Sequence, residues 1–489
     1  GTPDEPTLTE SHDVPNSPTS SSSNEHDAPP LDEHGVIGDL RTLAAIASDG
    51  TIDWMCWPRF DSPSVFASLL DDDGGAWTVT PTCPVTAHRQ LYLSGTNVLI
   101  TRFHTDGGLV EIEDLMSLAP HDRHVIRAVR CRRGSIELTS RIAARPDYGR
   151  TEPEVRTDDG AATITATADD FGTLVASGDV EWTADGCDLV TTFTVDEGEV
   201  AYLVLGETAV GHGLAAEMYR HAAHEWRAWA DRSTYRGRWR ESVERSALTL
   251  KLLTHEPSGG IIAAGTTSLP EVVGGERNWD YRYVWIRDAA FTLYAFISLG
   301  YLDEADAFTD WLVARLDRCE QRTDGDDAPL SPLYTLDGDD DIAEAELDHW
   351  SGYADSRPVR IGNAASDQLQ LDIYGALVDA LYLADKHGPG LSVDTWRHVV
   401  TIIDWLGDHW AEPDDGMWEV RSGPQRHTSS LLMCWVAVER AIRMAQHRGR
   451  PAPLSAWCEL RDSIHTTLVD EGYNRELKAF TQVLGGDTV

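Results

Sequence analysis

The alternation of hydrophobic and polar residues divides the chain into two parts. Between about Gly35 and Gly213, segments such as AATITATA, CDLVTTFTV and EVAYLVLG alternate apolar and polar residues, with Gly and Asp between them. A period of two places one face of each segment in a core, which is typical of β-strands. Because these segments follow one another without helices, the pattern predicts an N-terminal β-sandwich over residues 35–220.

A helical period of three to four residues begins near His221, and residues 221–489 are predicted to form a helical domain. A first helix ends at the breaker PSGG, 257–260. For the helix that covers residues 366–387, Ser366 is the candidate cap. The predicted helices after the breaker lie at about 285–300, 302–318, 366–387, 394–411, 427–447 and 453–470.

Long loops separate these helices at 257–284, 319–365 and 412–426. Loops of this length in a compact helical domain are usually functional, so the chemistry is expected there. Residues 1–34 are rich in Ser, Pro and acidic residues and poor in aliphatic ones, and they are predicted to be a disordered tail.

The charge balance is strongly acidic, with 81 Asp and Glu against 40 Lys and Arg and a net charge of −41. A cationic partner and adaptation to multimolar salt are two explanations. Because the acidic residues are spread along the whole chain, the pattern favours a halophilic protein that loosens at low salt. A nucleic-acid partner is not expected, because phosphate binding needs a basic face.

Cysteine usage and hydropathy bear on the cellular compartment. The seven Cys form no CxxC pair, which favours a reducing cytoplasm over a disulfide framework or a zinc site. No apolar run approaches the roughly 20 residues that span a bilayer, so no membrane association is expected. The first residues resemble no signal peptide, and because residue 1 is not Met, a leader upstream is left open.

The first loop ends in RNWDYRYVWIRDAAF, 277–291. Flat aromatic rings such as that of Trp279, next to fixed charged groups, are what a sugar-binding pocket requires. Arg287 and Asp288 fall at a predicted helix start, where free amides favour an anion. A buried Arg–Asp pair beneath an aromatic cluster explains the same residues equally well.

The second loop contains LDHWSGYADSRPVRIGNAASDQLQLDIYG, 347–375, in which Trp350, Tyr353 and Arg357 surround two glycines. Many of its polar residues have no role that a simple loop would require. The acidic segment before it lacks the spacing of an EF-hand, so a solvated loop is favoured there over a calcium site.

The third loop is EPDDGMWEVRSGPQRH, 412–427, in which Glu419 directly follows Trp418. A carboxyl group beside an indole is partly desolvated, which raises its pKa and suits it to act as a general acid. A surface Glu that pairs with Arg421 is the alternative. Glycoside hydrolysis uses two carboxyl groups, and Glu419 is the one strong candidate.

In this order, the three loop motifs resemble the signatures of glycoside hydrolase family 15, the group of glucoamylases, glucodextranases and trehalases. The segment IGDLRTLAAIASDGTIDWMCWPRFDSPSVFASLLDDDGGAW, 37–77, resembles the β-sandwich domain that precedes the catalytic domain in the trehalase-like branch. The resemblance covers the chain from about residue 35 onwards. It implies an (α/α)6 toroid with the active site at one mouth, and inverting, exo-acting hydrolysis that releases glucose from trehalose or α-glucans.

The resemblance also implies roles for single residues. Glu419 would be the general acid and Trp418 the wall beside it, while Arg287 and Asp288 would bind the terminal glucose. Further residues would shape the sugar site: Trp279, Trp350, Tyr353, Arg357 and Arg421.

The family's general base is a Glu in a later loop, beyond Val489. About seven helices are predicted here, whereas the toroid has twelve. We therefore expect an incomplete toroid, a C-terminally truncated chain and inefficient catalysis by the chain alone. Two alternatives remain open: a non-catalytic α-glucan-binding fragment without the base, and an (α/α)6-barrel glycoside phosphorylase. No cofactor or catalytic metal is expected, a structural calcium is left open, and the oligomeric state is not predicted.

Overall fold

The computed structural model describes residues 30–118, 122–158, 160–168, 171–322, 328–388, 390–421 and 423–489. The predicted disordered tail lies outside these residues up to position 29. Its last residues, 30–34, contain a short 3₁₀ turn at Leu31–Glu33. His34 Nε2 lies 2.7 Å from the carboxylate of Asp53 in the β-rich part, so this end of the tail is attached to the domain.

Fifteen antiparallel strands form the N-terminal part of the described chain. They are β1 (Gly35–Gly38), β2 (Leu43–Ile46), β3 (Ile52–Cys56), β4 (Ser64–Phe66), β5 (Ala76–Pro81), β6 (Val85–Tyr92), β7 (Leu99–Thr105), β8 (Gly108–Met116), β9 (His124–Ala143), β10 (Glu154–Asp158), β11 (Ala161–Thr165), β12 (Thr173–Gly178), β13 (Thr183–Asp185), β14 (Asp188–Asp196) and β15 (Val200–Gly206).

The long strand β9 belongs to two sheets. Its first half pairs with β8 and β15, and its second half pairs with β5 and β14. In the second half Ile136, Leu138, Ser140 and Ile142 are buried while the residues at 137, 139 and 141 are exposed, which is the predicted period of two. Residues from both sheets, such as Trp77 and Val110, share one hydrophobic core, as in a sandwich.

Eight α-helices follow within the described residues. They are α1 (His212–Ala230), α2 (Arg240–Leu252), α3 (Ile286–Leu299), α4 (Leu302–Arg322), α5 (Asp372–His387), α6 (Val393–His409), α7 (Thr428–Arg448) and α8 (Leu454–Gly472). This arrangement confirms a β-rich part followed by a helical part. Helix α1 begins earlier than the predicted boundary at 220, because Ala215, Met218 and Ala222 pack on the outer face of the sheet.

One helix start differs from the prediction. The helix expected from 366 is interrupted: a 3₁₀ turn covers Ala364–Asp367, and α5 begins only at Asp372. Asn363, rather than Ser366, caps the turn through its side chain. Asp414 accepts a hydrogen bond from the amide of Leu371 and holds the chain in the break, a contact that local periodicity does not show.

The β-domain supports the loops of the helical domain. The indole of Trp54 donates a hydrogen bond to the carbonyl of Gly265 at 2.7 Å, and Asp71 accepts hydrogen bonds from the amide and hydroxyl of Ser351 at 2.8 and 2.9 Å. One hydrophobic cluster continues from the β-domain into α3, α5 and α7. In the described part of the chain, no helix is long and apolar enough to cross a membrane.

Candidate active site

Short strand pairs bring two of the loops together. Strand β16 (Val284–Trp285), which directly precedes α3, pairs with β17 (Leu333–Tyr334). Strands β18 (Ala345–Glu346) and β19 (Arg360–Ile361) pair within the second loop. The third loop reaches the same place through Glu419, whose carboxylate contacts Trp285.

Glu419 sits in a tight turn with its side chain directed into the protein. Its φ is +52°, an unusual value for a non-glycine residue, and its amide bonds to the carbonyl of Gly416 at 3.2 Å. The residue is 9% exposed. A strained backbone that the surroundings maintain is typical of functional sites.

The carboxyl group of Glu419 is suited to hold a proton. Burial raises its pKa, while the hydrogen bond from Trp285 Nε1 to Oε1 at 2.6 Å and the charge of Arg287 partly oppose that rise. Oε2 accepts no hydrogen bond from any group in the described part of the chain. A buried carboxyl with a raised pKa and one free oxygen can donate its proton to a ligand.

Arg287 connects Glu419 with two other acidic side chains. Its Nη1 donates to Gln370 Oε1 at 3.0 Å and to Asp372 Oδ2 at 3.2 Å, and its Nη2 lies 3.5 Å from Glu419 Oε1. Its Nε lies 3.9 Å from Asp288 Oδ2. The pKa of Arg287 is raised because these carboxylates outweigh its burial, so it stays charged.

Asp288 and Asp372 differ in access. The side chain of Asp288 is 45% exposed, so it can still reach a ligand, although the surrounding protein raises its pKa. Asp372 is buried, which raises its pKa, and it contacts Arg287 directly. Arg287 and Asp288 thus do not form the closed, buried pair that was the alternative interpretation.

Trp279, Arg421 and Trp418 lie around this cluster. The guanidinium groups of Arg360 and Arg421 lie 4.5 and 4.4 Å from the centre of the Trp279 ring. Arg421 forms its ion pair with Glu344 at 3.1 Å, which leaves Glu419 free of the surface pair that was its alternative role. Trp418 is 72% exposed and offers a free aromatic face next to Glu419.

Three of the predicted sugar-binding residues do not belong to this cluster. Trp350 is 2% exposed and packs edge-to-face against Tyr148 of the β-domain, away from Glu419. Tyr353 is buried near Leu31, again against the N-terminal part. Arg357 is exposed, and no contact joins it to Glu419. The side chain of Asn278 donates hydrogen bonds to the carbonyls of the residues on either side of it, Ser356 and Pro358.

Four residues of the site were not assigned a role from the sequence. Trp285 and Asp372 contact Glu419 and Arg287, and Gln370 holds Arg287. Asp414 accepts hydrogen bonds from Leu371, Gly416 and Ser430, which joins the second loop, the third loop and α7. Polar residues that alternate with Leu in QLQLD were the one available signal, because a simple helix start needs no such alternation.

Among the described residues, no group of three or more His, Cys, Asp or Glu side chains could hold a metal ion.

The chain resembles known proteins along most of its length. Residues 237–488 match the family "Glycosyl hydrolases family 15", and residues 23–231 match "Trehalase-like, N-terminal". A trehalase of Mycolicibacterium smegmatis is 33% identical over 94% of this chain and 73% of that protein. Trehalase 1 of Sulfolobus acidocaldarius is 37% identical over 83% of this chain and 70% of that protein.

A solved structure shows the same architecture. A bacterial glucoamylase in complex with acarbose aligns over 92% of this chain and 68% of its own, with a TM-score of 0.55 and 11% identity. At that identity the likeness shows the fold alone. The family match, and identities of 33% and 37% to relatives of which the chain covers 73% and 70%, show that the chain belongs to glycosyl hydrolase family 15 and is an O-glycosyl hydrolase.

Proposed function

We propose that the protein hydrolyses α,α-trehalose to two molecules of glucose, with Glu419 as the general acid. The observation that carries this proposal is that the carboxyl group of Glu419 is buried, that burial raises its pKa, and that it accepts a hydrogen bond through one oxygen alone. The trehalases among its relatives support the choice of substrate.

In this reaction the bond between an anomeric carbon and the bridging oxygen breaks. Glu419 gives its proton to that oxygen, so the leaving glucose departs as a neutral alcohol, and water adds to the anomeric carbon and loses a proton to a base. Trp285 holds the carboxyl in place, and Arg287 and Asp288 bind sugar hydroxyls. That a second Glu acts as this base stays a prediction from the family resemblance.

An inverting mechanism makes a specific prediction for the products. Attack from the face opposite the bridging oxygen turns the attacked glucose into the β-anomer, whereas the leaving glucose keeps its α-configuration. Proton NMR in the first minutes of reaction, before mutarotation, should therefore show equal amounts of both anomers. Two α-anomers would exclude inversion.

A substrate panel tests the proposal itself. Glucose release from trehalose, maltose and maltotriose is measured in concentrated KCl with the protein expressed to its natural stop codon. Its variant Glu419→Gln is measured beside it, with Glu412→Gln as a control in an exposed part of the same loop. We expect turnover of trehalose by the unmutated protein, its loss in Glu419→Gln and no change in Glu412→Gln. Preferred release from maltose or maltotriose would favour an α-glucan hydrolase, and binding without release would favour a glucan-binding protein. Glucose 1-phosphate formed only with inorganic phosphate would show a phosphorylase.

A further inference from the structure

Two charged residues of the first loop lie away from Glu419, at the boundary with the β-domain. Asp280 and Arg282 form an ion pair at 2.7 Å whose side chains are both 0% exposed. A buried pair of this kind stabilises a fold only when its remaining hydrogen-bonding groups are satisfied.

All five N–H groups of the Arg282 side chain have a partner. Nε and one N–H of Nη2 bond to Asp280 at 2.9 and 2.7 Å. The other three bond to the β-domain: Nη2 to the hydroxyl of Tyr148 at 2.8 Å, and Nη1 to the carbonyl of Ser62 at 2.8 Å and to Cys56 Sγ at 3.3 Å. A guanidinium with five satisfied donors in a fixed plane has one orientation.

At its other end the network reaches the second loop. Asp280 Oδ2 accepts the amide of Gly362 at 3.1 Å, and the carbonyl of Asp280 accepts the side-chain amide of Asn363 at 3.2 Å. Gly362 has a φ of +73°, and a Cβ atom there would lie 1.8 Å from the carbonyl of Ala343. The second loop therefore has one backbone conformation where it bonds to Asp280.

The same residues carry side chains that face the candidate sugar site. Trp279 and Tyr281 flank Asp280 in sequence, and the Tyr281 ring lies 5.2 Å from that of Trp285, which bonds to Glu419. Arg360, two residues before Gly362, lies over the Trp279 ring. The network thus fixes the backbone from which this aromatic wall projects.

We propose that Tyr148 of the β-domain is a positioning residue for the sugar-binding wall formed by Trp279, Tyr281 and Arg360, and that it acts through Arg282 and Asp280. The β-domain then contributes to substrate binding although no residue of the network touches Glu419 directly. This inference rests on the proposed function in that the wall is taken to bind the glucoside.

The test compares two Tyr-to-Phe variants within the β-domain. Tyr148→Phe removes the hydroxyl that accepts one of the five hydrogen bonds of Arg282. Tyr92→Phe removes a hydroxyl that bonds only to the backbone of Val36, at 2.7 and 2.9 Å. Kinetics are measured below the unfolding temperature of each variant. For Tyr148→Phe we expect KM for trehalose to rise by about tenfold, since a hydrogen bond to a charged group is lost, with little change in kcat or its pH profile. For Tyr92→Phe we expect an unchanged KM.

Hydrogen exchange gives a second readout that needs no activity. In Tyr148→Phe, backbone amides of 277–285 and 358–364 should exchange faster than in the parent protein, and in Tyr92→Phe they should not. If KM and the exchange of these two segments match those of Tyr92→Phe, the proposal is overturned. If the protein expressed to its natural stop codon hydrolyses no glucoside, the proposed function fails while the exchange data still decide this inference.

A milder variant covers the case in which Tyr148→Phe does not fold. Cys56→Val removes only the longest of the five bonds to Arg282. A smaller rise in KM and a smaller increase in the exchange of the same segments are expected. If neither is seen, the orientation of Arg282 does not set the wall, and the proposal that Tyr148 acts through Arg282 is overturned.

Discussion

Replacing Trp285 with Phe tests how the protein sets the pKa of Glu419. The indole donates a hydrogen bond of 2.6 Å to Glu419 Oε1, and this bond favours the ionised carboxylate. It therefore lowers the pKa that burial raises. Without the bond, the pKa of Glu419 should rise further, and the carboxyl should keep its proton to a higher pH.

The size of the effect follows from the environment of the two groups. Both side chains are buried, and a hydrogen bond to a charged group in such a place contributes about 1.5–3 kcal/mol. Because a protonated carboxyl still accepts a weaker bond from the indole, we take about 1.4 kcal/mol as the difference between the two states, which equals about one pKa unit. The alkaline limb of kcat should move up by about one pH unit.

The assay is the pH dependence of kcat for trehalose, because its alkaline limb reports the acid in the enzyme–substrate complex. Tyr281→Phe is the matched control: its ring lies against Trp285, and no hydrogen bond joins it to Glu419. Burial raises the pKa of Tyr281 to about 12, so this phenol is neutral where the limb falls. An alkaline limb that stays in place, or that moves down, in Trp285→Phe would refute the reasoning.

Three further predictions concern stability. Asp414→Ala leaves the three donors of Leu371, Gly416 and Ser430 without their acceptor. This substitution should lower the free energy of unfolding, measured by urea titration, by about 2–4 kcal/mol. A smaller loss than that measured for Asp415→Ala would count against the role of Asp414. Burial lowers the pKa of His255 from 6.5 to about 4. Because the unfolded chain then binds a proton that the folded protein does not, the free energy of unfolding should fall by up to about 3 kcal/mol as the pH falls from 6.5 to about 4. His255→Gln should make stability depend less on pH in this range. An equal slope of stability against pH in both proteins would show that His255 is not the cause. With a net charge of −41, the melting temperature should rise with KCl concentration; a fall would show that self-repulsion is not the main effect.

Local patterns predicted most of the fold because they record which face of an element is buried. Helix α6 was expected at 394–411 and is found at Val393–His409, where Ser392 accepts the amide of Thr395 as a cap. The start of α5 was missed because it depends on a bond between Asp414 and Leu371, which are distant in sequence.

The candidate site was predictable only where a motif carried it. Glu419 and Arg287 could be singled out, because charged residues beside aromatic ones have few uses in a core. The same argument placed Trp350 in the sugar site, although its ring packs against Tyr148. Aromatic and polar residues also build the boundary between domains, and composition does not separate the two uses. The contact between Trp285 and Glu419 depends on the folded chain alone.

The central claim is that Glu419 protonates the leaving group, and the most direct measurement compares two leaving groups. Glu419→Gln and the parent protein are assayed with trehalose, whose departing sugar needs a proton, and with α-glucosyl fluoride, whose fluoride leaves without one. The account predicts that Glu419→Gln loses trehalose hydrolysis by at least about 100-fold while it retains most of its activity on the fluoride. An equal loss on both substrates, or no loss on trehalose, would contradict it.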